Sequence, residues 1–222
     1  MSNIAIVVAA GSSARMGFDK LTASLGGKTV LEWSLRAFQD CASIASAVLV
    51  CPQNRLAEFT ELAAAFPKFQ KFVAGGAERS ASVRQGLSAL AGDPPDIVAV
   101  HDAARPLVSP ALIHEVLAAA NLHRAAAAAH PVTDSLHRAD ARGSLSETVP
   151  RLNLYAMETP QAASYELLVA AMEAHHAGLT DEISALIAHG IHPVPVVHGR
   201  PNIKITIPSD LAMADFLANR GH

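Results

Sequence analysis

The chain has 222 residues, half of them apolar, a formal net charge of −3 and two cysteines. That length suits one large α/β unit, residues 1–222, with a substantial buried core. The slight negative charge argues against wholesale nucleic-acid binding, the short, broken apolar runs argue against a membrane span, and the separation of Cys41 and Cys51 fits neither a redox nor a zinc motif.

Ile4–Ala10 is a continuous apolar run and reads as a buried parallel strand rather than a signal sequence, since no basic region precedes it. It breaks into Gly11-Ser12-Ser13-Ala14-Arg15-Met16-Gly17 and then reaches Lys20. Glycine and small hydroxyl residues after a strand let backbone N–H groups approach a polyphosphate, and Arg15 and Lys20 stand where they can neutralise it. The spacing is neither the G-x-G-x-x-G of dinucleotide folds nor a P-loop. Val30–Phe38 has helical spacing, Ala47–Cys51 is a short apolar strand and Leu56–Phe66 an amphipathic helix. Phe69–Ala74 reads as a strand ending at Gly75-Gly76, and Ser80–Leu90 as a helix with Ser80 as its N-cap. Ile97–His101 is a further buried strand ending at Asp102, followed by a helix over Pro110–Ala120 and a small-residue strand over Ala125–His130.

The segment 132–151 breaks this rhythm. Ser135–Arg138 and Leu145–Val149 flank Asp140-Ala141-Arg142-Gly143, which suits a protruding hairpin; two strands alone are marginal, so the arm is expected to pack on a second subunit. Beyond it, Tyr165–His175 reads as a helix, with the His175-His176 pair at an exposed end. Asp181–His189 reads as another, capped by Thr180 and terminated by Gly190. Ile191–Val197 and Ile203–Ile207 look extended, and Ser209 is the expected cap of a last helix. The alternation predicts a Rossmann-like, mostly parallel sheet covered by helices on both faces, with the arm projecting from it. Ligands of such sheets bind beyond the carboxyl ends of the strands, where Gly11, Gly75-Gly76 and Asp102 converge.

His101-Asp102-Ala103-Ala104-Arg105-Pro106 places a carboxylate at a strand end with a guanidinium three residues on. A lone Asp there suits Mg²⁺, or serves as a structural partner of Arg105. Gly75-Gly76 before Arg79-Ser80-Ala81-Ser82 is either a second phosphate- or base-contacting turn or a plain strand-to-helix turn. Lys204 lies in an extended stretch whose alternation sets it opposite Ile203 and Ile205; periodicity alone turns it to solvent. Arg151, Thr159 and Thr180 read in isolation as surface polar groups and caps.

In order along the chain, Ala9-Ala10-Gly11…Arg15-Met16, Gly75-Gly76…Glu78-Arg79…Ser82, His101–Pro106, Thr159-Pro160-Gln161, Thr180-Asp181-Glu182 and Asn202-Ile203-Lys204 form a series. This series resembles the 2-C-methyl-D-erythritol 4-phosphate cytidylyltransferase family over essentially the whole length. The first loop alone resembles only the wider group of nucleotide-diphospho-sugar transferases. The resemblance implies CMP transfer from CTP to 2-C-methyl-D-erythritol 4-phosphate with release of pyrophosphate, in isoprenoid precursor biosynthesis. The alternative is a cytidylyltransferase for another polyol phosphate, such as ribitol 5-phosphate. It also implies that Arg15, Lys20 and Lys204 are catalytic, and that Ala10, Gly11, Ser12, Gly76, Arg79, Ser82 and Ala103 hold the nucleotide. Arg105, Ser135, Arg151, Thr159 and Thr180 would hold the sugar phosphate, and Asp102 would ligate Mg²⁺, for which Mn²⁺ can substitute. A cytoplasmic homodimer with clasping arms is implied, without nucleic-acid or membrane partners. Some members fuse this unit to a cyclodiphosphate synthase, and the present length is expected to hold the cytidylyltransferase alone. Three departures stand out: Phe18-Asp19 before Lys20 where proline is frequent, Ala77 where an acidic residue is common, and Ser135 in place of threonine.

Overall fold

The structure, a computed structural model, describes residues 2–11, 16–174 and 180–220. Ser12, Arg15 and the His175-His176 pair lie outside them. In chain order the elements are β1 (Asn3–Val8), the two-residue strands β2 (Ser24–Leu25) and β3 (Lys28–Thr29), α1 (Val30–Asp40), β4 (Ser46–Cys51), α2 (Leu56–Ala63) and β5 (Phe69–Ala74). Then come α3 (Arg79–Ser88), β6 (Ile97–Asp102), α4 (Pro110–His123), β7 (Ala125–Pro131), β8 (Leu136–Ala139) and β9 (Leu145–Val149). The chain finishes with β10 (Tyr155–Ser164), α5 (Tyr165–Ala174), α6 (Glu182–Ala188), β11 (Val194–Val197) and α7 (Pro208–Ala218).

Among the described residues, seven strands form the central sheet in the order β11-β7-β10-β6-β1-β4-β5. β10 runs antiparallel to both neighbours, and the other pairings are parallel. Alternate residues of each buried strand feed two cores, as the period of two requires. Ala5, Val7 and Ala99 face α1, α2 and α4 through Leu35, Phe38, Phe59 and Ile113. Ile4, Ile6, Val98 and Val100 face α3, α5 and α6 through Val83, Leu87, Leu168 and Leu186. The predicted two-faced α/β architecture is therefore present. α3 comes close to the sheet at Gly86, where an added Cβ would lie 2.7 Å from Ile6 Cγ2, so this position has no room for a larger residue.

The chain leaves β1 toward β4 and β5 on one side and returns to β6 on the other. This reversal opens a crevice beyond the ends of β1 and β6, the switch point of an open sheet. The hairpin β8–β9 stands apart from the main sheet, as predicted, with its turn closed by Asp140 accepting from the N–H groups of Arg142 and Ser144. Its residues are almost all exposed.

Several local expectations are corrected. α3 begins at Arg79, so Ser80 lies inside the first turn and is not the cap. Asp181, not Thr180, caps α6 by accepting from Ser184 N–H, because it is the extended residue directly before the first helical turn and its charged carboxylate faces the helix entrance. Ser209 lies within α7; Asp210 reaches back to the N–H groups of Thr206 and Ile207 instead. α2 stops at Ala63, three residues short of Phe66. Residues 203–207 form no ladder, and their position is held by Ile205 N–H donating to the Ala104 carbonyl.

Candidate active site

Two cavities open at the switch point. One, of about 350 Å³, is lined by Ala10, Gly11, Lys20, Gly76, Arg79, Ser82, Asp102 and Lys204 among others. The second, about 450 Å³, is lined by Arg105, Thr159, Gln161, Thr180, Asp181 and Ser184, again with Arg79, Asp102 and Lys204. Those last three residues therefore form the border between the cavities.

The border is an ion network. Asp102, at the end of β6, takes Arg79 Nε on Oδ1 at 2.7 Å and Lys204 Nζ on Oδ2 at 2.6 Å. The far side of the Arg79 guanidinium forks onto Glu182 at 2.7 and 2.9 Å. Burial pushes the Asp102 carboxyl upward, but the charges of Arg79 and Lys204 outweigh it and hold it well below the usual carboxylate range. Burial likewise opposes the charge on Arg79, and Glu182 and Asp102 overcome it. The Lys204 side chain is 37% exposed and points into this charged cleft. The expectation of a solvent-facing lysine is thus overturned, because alternation assigns a face of the chain but not what stands opposite it.

Backbone bonds explain why Asp102 is aimed here. Asp102 N–H donates to Thr159 Oγ1 at 3.1 Å, and Arg105 N–H closes the turn onto the Asp102 carbonyl at 2.9 Å. His101 bridges the two ends, with Nε2 3.2 Å from the Arg105 carbonyl and Nδ1 3.0 Å from Thr159 Oγ1. A carbonyl only accepts, so Nε2 carries the proton, and the Thr159 hydroxyl donates to Nδ1. This tautomer needs a neutral ring, and burial pushes His101 down to about 3. His101, Asp102, Arg105 and Thr159 form one closed hydrogen-bond ring.

A pH dependence follows. The unfolded chain protonates His101 near pH 6.5, while the native ring resists it until about 3. The unfolded state therefore binds more protons in that window, and stability falls as pH drops through it. From pH 7.5 to pH 5 this single group should remove about 2 kcal/mol. Denaturant titrations of wild type and His101→Asn at both pH values measure the difference; an equal acid loss in both proteins would contradict a neutral buried ring.

The glycine turn after β5 is closed by Ser82, whose Oγ accepts from Gly76 N–H at 3.1 Å and donates to the Glu78 carbonyl. An added Cβ on Gly75 would fall 2.3 Å from Ala10 Cβ, so the first two loops meet only because this residue is glycine. Lys20 reaches across to the Ile205 carbonyl at 2.8 Å. Asp19 beside it pairs with Arg55 and accepts from Leu21 N–H and the Thr22 hydroxyl.

Not every expected residue comes together. Ala103 is fully buried, its N–H on the Val8 carbonyl and its own carbonyl on Ser34, and Ala104 lines the cleft in its place. Ser135 and Arg151 are exposed on the arm, Arg151 donating to the Thr133 carbonyl, and neither lines either of these two cavities. Sequence reading assigned no role to His101 and took Glu182 in isolation for a cap or surface polar group, whereas Glu182 is buried and takes the Arg79 fork. Gln161 shows why two other motifs are spaced as they are: its amide donates to Asp181 and accepts from Ile183 N–H, tying β10 to the start of α6.

Among the described residues, no group of three or more His, Cys, Asp or Glu is arranged to hold a metal ion. Asp102 is the carboxylate that lines both cavities. Its carboxylate has about four lone-pair positions, and the cations occupy one on each oxygen. What remains fits Mg²⁺, which takes one or two carboxylates and completes its shell with water and phosphate oxygens. No helix among the described residues is long and apolar enough to cross a membrane.

The family model for IspD, 2-C-methyl-D-erythritol 4-phosphate cytidylyltransferase, matches residues 3–220. A relative from Cereibacter sphaeroides bearing that enzyme name is 40% identical over 220 residues, 98% of this chain and 97% of its own. The crystal structure of the same enzyme from Thermus thermophilus superposes with a TM-score of 0.78 at 32% identity, covering 99% of this chain and 100% of that one. That of 4-diphosphocytidyl-2C-methyl-D-erythritol synthase from Anaerococcus prevotii reaches 0.86 at 27% identity, covering 99% of each.

Proposed function

Since this chain belongs to the 2-C-methyl-D-erythritol 4-phosphate cytidylyltransferase family, we propose that its two adjoining cavities hold CTP and 2-C-methyl-D-erythritol 4-phosphate. The observation that carries this reading is the shared border of Arg79, Asp102 and Lys204. A nucleotide in the first cavity and a phosphorylated polyol in the second would meet phosphate to phosphate there.

A phosphate oxygen of the polyol attacks the α-phosphorus of CTP, a P–O–P bond forms, the bond to the β-phosphate breaks, and pyrophosphate leaves. The nucleophile is already anionic, so no general base is required. The work of the protein is alignment and charge compensation. Arg79 and Lys204 stand at the border, Lys20 lines the nucleotide cavity, and Arg15 belongs to the same loop in sequence. Ala10, Gly11 and Gly76 bring backbone close to the nucleotide. Thr159, Thr180 and Arg105 line the polyol side. Asp102 would hold Mg²⁺, with Mn²⁺ as a substitute, and the ion when bound supplies further neutralisation of phosphate charge.

The homodimer reading rests on the arm, where Leu136 and Leu145, with Leu152 directly after it, are exposed and lack cover within this chain. Ser135 and Arg151 would then reach the polyol cavity of the partner. A cytoplasmic location is supported by two buried free thiols, which suit a reducing compartment. Pyrophosphate release with CTP and a panel of polyol phosphates tests the assignment. 2-C-methyl-D-erythritol 4-phosphate should be the preferred acceptor; faster release with ribitol 5-phosphate would transfer the chain to the alternative reaction.

A further inference from the structure

β10 loses register with β7 between Met157 and Gln161, and the irregularity throws two neighbouring polar side chains out of the ladder. Thr159 serves the ring around Asp102. Glu158 has no part in that ring, yet its carboxylate is buried and takes three donors. His130 Nδ1 lies 2.8 Å from Oε1, while His198 Nε2 at 3.0 Å and Asn202 Nδ2 at 2.6 Å share Oε2. The Arg105 guanidinium stands 4.0 Å away. Asn202 also donates to the Thr159 carbonyl at 2.8 Å and accepts Arg105 Nη1 on its own carbonyl at 2.8 Å.

This hub sits at the root of the segment that ends in Lys204. Residues 198–204 have no ladder to fix them, so their side-chain bonds set where the backbone runs. Asn202 is two residues before Lys204 and, in extended chain, projects to the same side. Glu158, Arg105 and Lys204 also line a further cavity, of about 490 Å³, together with His198 and Asn202. We propose that Glu158 is a positioning residue for the transfer reaction, acting through Asn202 to hold the Lys204 ammonium at the border between the two substrate cavities. The inference rests on reading Lys204 as a phosphate ligand.

Two variants and one probe test it. Glu158→Gln keeps the volume and removes the charge that gathers Asn202; Asn202→Ser removes the link and leaves Glu158 paired with His130 and His198. Each should weaken calorimetric binding of inorganic pyrophosphate about tenfold, and each should lower kcat/KM for the polyol phosphate by about 10²-fold, the scale of a small misplacement at the reacting centre. Because both act on one path, the double variant should lose no more than either alone. A merely structural Glu158 would lower thermal stability and leave the pyrophosphate affinity of folded protein unchanged. Wild-type-like affinity and kinetics in a folded variant, or additive losses in the double variant, would overturn the proposal. If Glu158→Gln does not fold, Asn202→Ser decides alone. Wild-type turnover with the polyol phosphate judges the function; pyrophosphate affinity, which needs no polyol, judges the role of Glu158.

Discussion

Lys204→Met is expected to lower turnover by about 10²–10³-fold with the fold unchanged, the usual consequence of removing one aimed electrostatic donor from a reacting centre. Methionine keeps the length and apolar stem of lysine and deletes only the ammonium. The position is more than a third open to solvent, so losing its bond to Asp102 should cost the fold little. Asp102 would still hold Arg79, and Arg79 would still hold Glu182, so neither buried carboxylate loses its last partner. The deficit should therefore fall on chemistry. Steady-state pyrophosphate release, with far-UV circular dichroism as the control for folding, measures it. A folded Lys204→Met protein that turns over within about threefold of wild type would remove this lysine from the mechanism, since an aimed donor is worth far more than that.

Asp102→Asn should abolish turnover and also destabilise the protein, by about 3 kcal/mol, the lower end of the range for breaking a buried ion pair. The lower end applies because Arg79 retains Glu182 and Lys204 can turn to water. The amide nitrogen of asparagine would face one of the two cations, donor against donor. Raising Mg²⁺ should not restore the rate, since the candidate ligand has gone. The Asp102 carboxyl is depressed in the native state, so its contribution is complete above the unfolded pKa near 3.9 and fades as pH falls below it. The variant should lack that part of the acid transition. Denaturant midpoints at neutral and acidic pH, with turnover alongside, check both halves. An Asp102→Asn variant of wild-type stability would mean that the ion network contributes nothing to the fold.

The architecture was legible where apolar runs were short and uninterrupted. β1, β4 and β6 announce themselves as runs rich in Val, Ile and Ala, and the loops at strand ends carried the motifs to one edge of the sheet. β10 escaped notice because Glu158-Thr159-Pro160-Gln161 interrupts its apolar pattern, and these residues lie where the ladder itself is irregular. The polar interruption that hides the strand is what delivers Glu158 and Thr159 to the site. Ser80, Thr180 and Ser209 are not caps because a hydroxyl near a boundary only resembles one; the backbone entry angle, which sequence does not display, selects which residue serves. Lys204 goes to the unexpected side for a related reason. Its pairing with Asp102 spans 102 residues, and no local pattern reports a contact of that range. The Arg79–Glu182 fork spans 103 and is equally invisible in the sequence. Ser135 and Arg151 mark a different limit, since a single copy of the chain leaves both outside its own cavities.

The proposed chemistry requires the polyol phosphate to act as nucleophile toward the α-phosphorus. The direct measurement is ³¹P NMR of the products after incubating the protein with CTP, Mg²⁺ and 2-C-methyl-D-erythritol 4-phosphate carrying ¹⁸O on its phosphate. The label should appear in the bridging oxygen of the cytidine diphospho-sugar, and the pyrophosphate should carry none. Label in the pyrophosphate, or pyrophosphate formed with free CMP and no bridged product, would contradict it.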